Sequence, residues 1–528
     1  MDDGPNEMPE TGEINPDVIG TDGPTDRPSG WWERRHVLFA LVLVGLAPLL
    51  WPALPPLTDL PGHMGRWHIA MTIGKSAALA QYYAFAWAPV GNLGMDILVP
   101  ALAAVLPFEL AAKIGVMVIP AITMAGLLWT AREAHGRVPP TALLALPLSY
   151  ASAFQMGFVN FALAQGLALC ALALWLRLAR RGRFGLRAAI FVPIVGVLWL
   201  AHSFGWAIFC LLAAGTELAR LRGEGRSWGA TFAAAAVQML SLAWPLLVMV
   251  VQSGGQAANA DDWFNWSAKI IWVASILRDR WQIFDIVSLV PIALVLYAAA
   301  RNPTLGFSSI LGWPAILCLL GFLLMPRLAL GGAYVDMRLA PLAAMLGLLA
   351  IKPLTGTGSA RSAQTLAVLA LAFFLARTAA MTVSFVLRST EQQRELAAIP
   401  AIPYGASVLS LVARPCGGDW TDLRRDHLPA MAIVRRDVFT NEQWDLQGQQ
   451  LLRIRNLAAR PYLADPAQLV YPASCAVMGS RFGEAIRTFP RAGFTYVWTI
   501  GFPPGAARSP DLQLIWTNGN SALYRVRR

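Results

Sequence analysis

Charge is what this chain has least of. Only 14% of its 528 residues are Asp, Glu, Lys or Arg, against about 25% in a soluble protein. Cysteine is sparse too, with five in the whole chain, which excludes a disulfide-built scaffold. Several chemical signatures are missing. There is no P-loop, so no ATP-driven transport by this chain, and there is neither a G-x-S-x-G elbow nor an H-E-x-x-H zinc helix. Residues 1 to about 30 contain almost no large apolar side chains and are rich in acids, Pro and Gly. Residues 1–35 therefore read as a disordered cytoplasmic tail rather than a cleavable signal peptide.

What the chain does have is apolar. Hydrophobic residues make up 56%, the mean hydropathy is +0.50, and the apolar runs are about 17 to 25 residues long, enough to cross a bilayer as helices. The expected fold class is an all-α polytopic membrane protein with about 11 transmembrane helices, 13 being the alternative, and a small C-terminal α/β extracytoplasmic domain. The net charge of +11 does not imply nucleic acid. The arginines gather at the ends of apolar runs, where the positive-inside rule accounts for them, and the 20 tryptophans suit membrane interfaces.

Glu33-Arg34-Arg35 precedes the first apolar run, His36 to about Pro55, and places that end in the cytoplasm. Arg177, Arg180, Arg181, Arg183 and Arg187 mark another inner loop. Residues 36–387 form the expected multi-pass domain, with a first outer loop over 56–92 and amphipathic surface helices within 68–91. Parity between the two basic marks leaves only one of the runs 95–107 and 112–131 as a full span, and 112–131 is the longer. Residues 388–528 have a soluble composition. Strand-like runs at Ser407–Val412, Thr495–Ile500, Leu512–Trp516 and Ala522–Val526, the last two joined by Asn518-Gly519-Asn520, predict a periplasmic α/β domain. Cys170, Cys210 and Cys318 lie in apolar runs as packing residues. Cys416 and Cys475 are either disulfide-bonded or two free thiols.

One stretch looks like chemistry: Leu57-Thr58-Asp59-Leu60-Pro61-Gly62-His63-Met64-Gly65-Arg66-Trp67-His68. Asp59 and His63 are four apart, so on a helix a carboxylate and an imidazole share one face and could serve one ligand or one proton. Alternatively, Thr58 or Asp59 simply caps a helix whose first turn holds Pro61. An acid at a membrane boundary carries a desolvation cost that favours the functional alternative.

The first span, an early D-x-P-x-H loop, interfacial helices, many spans and a terminal soluble domain resemble the GT-C superfamily of integral-membrane glycosyltransferases, which use lipid-linked sugar donors. Asp59, Pro61, His63 and Arg66 carry the motif. The resemblance implies that Asp59 is a general base or metal ligand. It implies that His63 orients it, binds metal or contacts phosphate. A second acidic motif is less distinct. Asp261-Asp262 and Asp336 are the candidates, so use of a divalent metal such as Mg or Mn stays open.

Other substrate-binding candidates are Arg66, Arg338 with Tyr334 and Asp336, His202 at a hairpin tip, and Asn160 with Gln155 at another. Arg338 either holds a lipid phosphate or pairs with Asp336. His202 reaches the cavity or is a structural histidine, and Asn160 binds sugar or ends a helix. The implied function is transfer of a sugar from a polyprenyl-phosphate donor to a glycan, lipid or protein acceptor on the outer face of a bacterial inner membrane. A lipid or polysaccharide flippase would show broken, charged mid-membrane helices and repeated halves, and no internal repeat is evident. A surface-glycan polymerase or ligase would move the key residues to a large later outer loop.

Overall fold

The computed structural model describes residues 30–252, 260–329, 332–354, 360–417, 420–421, 424–446, 450–475 and 479–527. The acidic segment 1–29 lies outside them. The residues just after it are ordered, contrary to the expected tail: Trp32 is buried and donates its indole N–H to the Val138 carbonyl at 3.1 Å.

The chain is mostly helical, with a sheet near its C-terminus. Six helices are long and apolar enough to cross a bilayer: Phe108–His135, Val159–Arg180, Phe184–Ala201, Ser203–Gly223, Gln282–Arg301 and Ala360–Ala401. A pair bent by 59°, Trp228–Leu242 and Trp244–Val251, makes up to seven. By length and composition the described residues therefore do not reach the expected 11 or 13. Arg35–Gly45, Gly94–Ala103, Ala142–Gln155 and Ser309–Leu324 are apolar but short. Proline is one reason. The first apolar run breaks at Leu46, before Pro48, and resumes only as Ala47–Leu50, because a proline inside a helix removes a hydrogen bond and crowds the preceding turn.

Within 68–91, where surface helices are expected, the chain forms the end of Leu60–Thr72, a helix that starts in the Asp59 motif, and then Ala77–Tyr82. The first of these does not lie exposed. Leu60 through Trp67 are all buried, because the C-terminal domain covers the helix. Leu57, Leu60, Met64 and Trp67 join one apolar core with Leu428, Ile433 and Val408 of that domain and with Val116 and Phe385 of the bundle. Tyr83–Phe85 then pairs antiparallel with Leu452–Ile454, stitching the first loop to the domain.

The last bundle helix runs unbroken from Ala360 to Leu396, so the domain begins after it rather than at residue 388. All four expected strands form. Tyr496–Ile500 lies parallel to Ser407–Ala413 on one edge and antiparallel to Ser521–Val526 on the other. Ser521–Val526 in turn pairs antiparallel with Leu512–Thr517 through a turn where Gly519 takes φ 92°. Two short strands, Phe439–Thr440 and Leu469–Val470, share the far edge of Ser407–Ala413 at its opposite ends, both parallel. Cys416 and Cys475 are disulfide-bonded.

Buried ion pairs fasten the domain to the bundle. Asp285 accepts from Arg377 at 2.9 Å, from the Trp420 indole at 2.8 Å and from the Asp279 backbone at 2.8 Å. Asp279 pairs with Arg424 at 3.0 Å and lies 3.7 Å from Arg388. Arg424 also donates to the Pro56 carbonyl of the first loop. Asp285 and Arg377 are almost fully buried, so removing one partner strands the other. We expect Arg377→Met to destabilise the protein by about 3–5 kcal/mol, and Asp285→Asn added to it to recover part of the loss, since the amide removes the uncompensated charge while its oxygen still accepts from Trp420 and the Asp279 N–H. Thermal unfolding of the purified variants checks this; a loss below about 1 kcal/mol in the single variant would show the pair to be dispensable.

Candidate functional site

Asp59 occupies the N-cap position of Leu60–Thr72, with φ −88° and ψ −9°, yet its side chain makes no capping bond. Its backbone is held by the turn between two bundle helices. Thr58 N–H donates to the Gln155 carbonyl at 3.3 Å and Asp59 N–H to the Met156 carbonyl at 3.0 Å. Gly157 completes that turn at φ +87°, and a Cβ there would meet the Asp59 nitrogen at 2.7 Å. Only glycine fits both the conformation and the approach.

Released from capping, the Asp59 carboxylate faces His427 of the C-terminal domain, 3.9 Å from its Nε2. The same Nε2 lies 3.5 Å from Asp465. His427 Nδ1 is 3.1 Å from the Glu442 carbonyl. A carbonyl can only accept, so Nδ1 carries the hydrogen and Nε2 of the neutral ring is an acceptor. A neutral acceptor facing two carboxylates needs a proton between them. Burial pushes the Asp59 carboxyl well above the usual range, Asp465 and Asp426 add to the rise, and Arg338 opposes it. Burial lowers the His427 imidazole against the pull of Asp465. Asp59 is therefore the group poised to hold or take up a proton. Separations of 3.5–3.9 Å leave room for a bridging water.

Arg338 supplies the positive charge. Its guanidinium sits 4.8 Å from the ring centres of both Phe158 and Phe161 and 5.8 Å from that of Phe204. It gives one hydrogen bond to the Ala333 carbonyl at 3.2 Å, while Nε is buried without a hydrogen-bond partner among the described residues. A buried cation with unspent donors is an anion site. His202 stands beside it, capping Ser203–Gly223 by accepting from Phe204 N–H at 3.1 Å, with its ring edge on Phe161.

The other sequence candidates fall elsewhere. His63 does not pair with Asp59. Its ring lies 6.0 Å from Trp67 and 5.0 Å from Trp444, and burial, then Arg66 and His427, hold it well below its usual value. Trp444 also contacts His427 at 4.6 Å, so His63 backs the site without entering the carboxylate cluster. Arg66 makes a two-pronged pair with Asp96 at 2.9 and 2.8 Å and reaches Gln450 at 2.6 Å. Asn160 joins that group at 3.0 Å from Asp96 and accepts from Met95 N–H at 2.6 Å. Asp336 pairs with Lys269 at 2.9 Å rather than with Arg338. Tyr334 packs on Trp272. Asp262 pairs with Arg327 at 2.5 Å. Among the described residues no group of three or more His, Cys, Asp or Glu side chains is arranged to hold a metal ion.

His427, Asp465, Asp426 and Trp444 carried no sequence pattern. One signal was there to read: Thr440-Asn441-Glu442-Gln443, four successive polar residues, are all fully buried. Asn441 and Gln443 position the loop, while the Glu442 carboxylate makes no hydrogen bond among the described residues and lies 3.6 Å from His427 Nδ1. Gln443 donates to the Gly62 carbonyl at 3.0 Å, and Asn441 exchanges bonds with the Ser410 backbone at 2.8 and 3.1 Å.

The clamp of Gly157 on Asp59 has a measurable consequence. Gly136 has φ +71° with nothing within 4 Å of its Cβ position, so Gly136→Ala loses only the conformational part, about 1–2 kcal/mol. Gly157→Ala should lower the melting temperature clearly further. Equal losses in the two variants would show that the Asp59 loop is not held by this contact.

No protein-family model matches the chain, and no curated protein matches it in sequence. Among solved structures it is similar to ArnT from Cupriavidus metallidurans bound to undecaprenyl phosphate, at 14% identity over 94% of this chain and 98% of that one, with a TM-score of 0.48. The apo state of the same protein gives 14% identity over 93% and 97%, with a TM-score of 0.49.

Proposed function

We propose that this chain is a membrane glycosyltransferase moving a sugar from a polyprenyl-phosphate donor to a cell-envelope acceptor, at the bundle end that carries the C-terminal domain. The observation that carries the reading is a proton-accepting carboxylate in the field of an aromatic-lined cation: Asp59, raised by burial, and Arg338, whose charge opposes that rise and whose Nε has no partner among the described residues. Glycosyl transfer from a phosphate carrier needs both. The acceptor hydroxyl or amine loses its proton as the new bond to the anomeric carbon forms, and the bond from that carbon to the phosphate oxygen breaks with the electron pair leaving on phosphate. Asp59 takes the proton. Arg338 meets the growing charge on the leaving phosphate. Burial, then Asp465 and Asp426, raise the affinity of Asp59 for its proton, and Phe158, Phe161 and Phe204 keep water from the guanidinium.

Placement in a bacterial inner membrane, with the domain on the periplasmic side, is supported by two features. Arginines gather at the opposite helix ends, and Cys416–Cys475 suits an oxidising compartment.

The sign of the pH dependence follows from the carboxylate. Asp59 works as a base only when deprotonated, so transfer should rise as pH climbs through its elevated value and fall below it. Asp465→Asn removes a like charge, lowers that value and moves the acid limb to lower pH. Asp59→Asn should reduce transfer by about 10²–10⁴-fold in a stably folded protein. Transfer of labelled sugar by purified enzyme in vesicles reads all three, and an Asp59→Asn protein with full activity would end the base assignment. Topology has its own test. A periplasm-only reporter joined after Leu396 should be active, and an inactive one would reverse the placement of the domain.

A further inference from the structure

A cavity of about 380 Å³ lies far from Asp59 and is lined by Arg35, Trp129, Arg132, Glu133, Arg177, Arg180 and Arg181. Its position follows from the helices. Phe108–His135 starts beside the C-terminal domain, where Glu109 pairs with Arg435 at 2.9 Å. It delivers Arg132 about 35 Å away along its axis. Val159–Arg180 likewise begins beside the Asp59 loop and ends in Arg177 and Arg180. The cavity is therefore at the opposite end of the bundle.

Its charge is unbalanced. Glu133 is the one carboxylate in the lining, and both its oxygens are engaged, by Arg180 and by the Trp129 indole at 3.1 Å. Arg35, Arg132, Arg177 and Arg181 make no side-chain hydrogen bond or ion pair among the described residues. Snorkelling arginines at helix ends ordinarily spread outward into water. Here four from three separate elements, together with an indole, border one concave space.

The geometry points to a binding site for the phosphate headgroup of an anionic bilayer lipid in this cavity. A lipid fits better than a free phosphate because of what continues from the cations. Arg35, Phe39 and Leu43 follow one another at i, i+4 and i+8 on one helix face, and Phe39 and Leu43 are 65% and 51% exposed. The cation thus heads an open apolar stripe, matching an amphiphile with a phosphate at one end and an acyl chain at the other. Basic pockets between membrane helices hold anionic headgroups in this way.

Native mass spectrometry of the purified full chain, titrated separately with phosphatidylglycerol, phosphatidylcholine and inorganic phosphate, tests the site. Phosphatidylglycerol should bind about tenfold or more tightly than phosphatidylcholine, with affinity falling about fivefold for each cation removed. The triple variant Arg132→Gln, Arg177→Gln, Arg181→Gln should lose the preference, and the matching triple change to Lys should keep most of it. Arg181→Gln alone gives the same reading if the triple variant does not fold. Equal binding of the two lipids, or a preference that survives the Gln changes, overturns the proposal. So does inorganic phosphate displacing phosphatidylglycerol at matched concentration. Residues 1–29 contain eight carboxylates. If the full chain takes no phosphatidylglycerol and a chain lacking 1–29 does, the pocket belongs to that segment and the lipid assignment falls.

Discussion

A short helix carrying polar residues is buried between two bodies, and the remainder of the structure answers to that. Leu60–Thr72 has the bundle on one side and the C-terminal domain on the other. It carries or adjoins Asp59, His63, Arg66 and His68. A charge in such a place is tolerated only when a partner meets it, and each partner comes from a distant part of the chain. Arg66 is met by Asp96 and Gln450, and His68 by Asp437 at 2.8 Å. Asp59 is met by His427 and Arg338. The helix is thus a register mark. The domain can dock in one orientation only, since a shift of one turn would strand several charges at once.

Within this frame the pairs are not alike. Arg66–Asp96 is two-pronged and short, and Lys269–Asp336 and Arg377–Asp285 are single contacts at 2.9 Å whose cations also donate to backbone carbonyls; these have little left to offer a ligand. The Asp59 neighbourhood is loose by comparison. Its contacts with His427 are 3.5–3.9 Å, it gathers Asp465 and Asp426 on the same side, and Arg338 keeps donors unspent. Most of the buried charges sit in tight pairs and this set is half satisfied, which is the contrast on which the proposed role of Asp59 and Arg338 rests.

How much of this could be read from residues alone depended on the range of the interaction. Local periodicity gave the four strands of the domain and the hairpin at Gly519, and apolar length gave the long helices. Where proline cuts an apolar run, as at Pro48, the helices come out shorter than the run, and the described residues do not confirm the expected number of crossings. The Asp59 motif stood out because an acid, two histidines and an arginine crowd twelve residues. Its partner could not be found this way: His427 lies hundreds of residues on and reaches Asp59 only through the fold. The i, i+4 spacing pointed to His63, which the aromatic rings of Trp67 and Trp444 take instead. Asp336 looked like Arg338's partner by proximity in sequence, yet Lys269, from another helix, has it. Such pairings are tertiary, and no window of sequence contains them.

Ala360–Leu396 passes from the bundle into the base of the C-terminal domain without a break. Thirty-seven residues of helix extend about 55 Å, against an apolar bilayer thickness of about 30 Å. The surplus acts as a mast rather than a tether. A flexible linker would let the domain swing away from the membrane, whereas a continuous helix transmits torque and fixes height. The height of the domain is therefore set by the helix itself, and the first loop, paired to the domain along Tyr83–Phe85, is held at that same height.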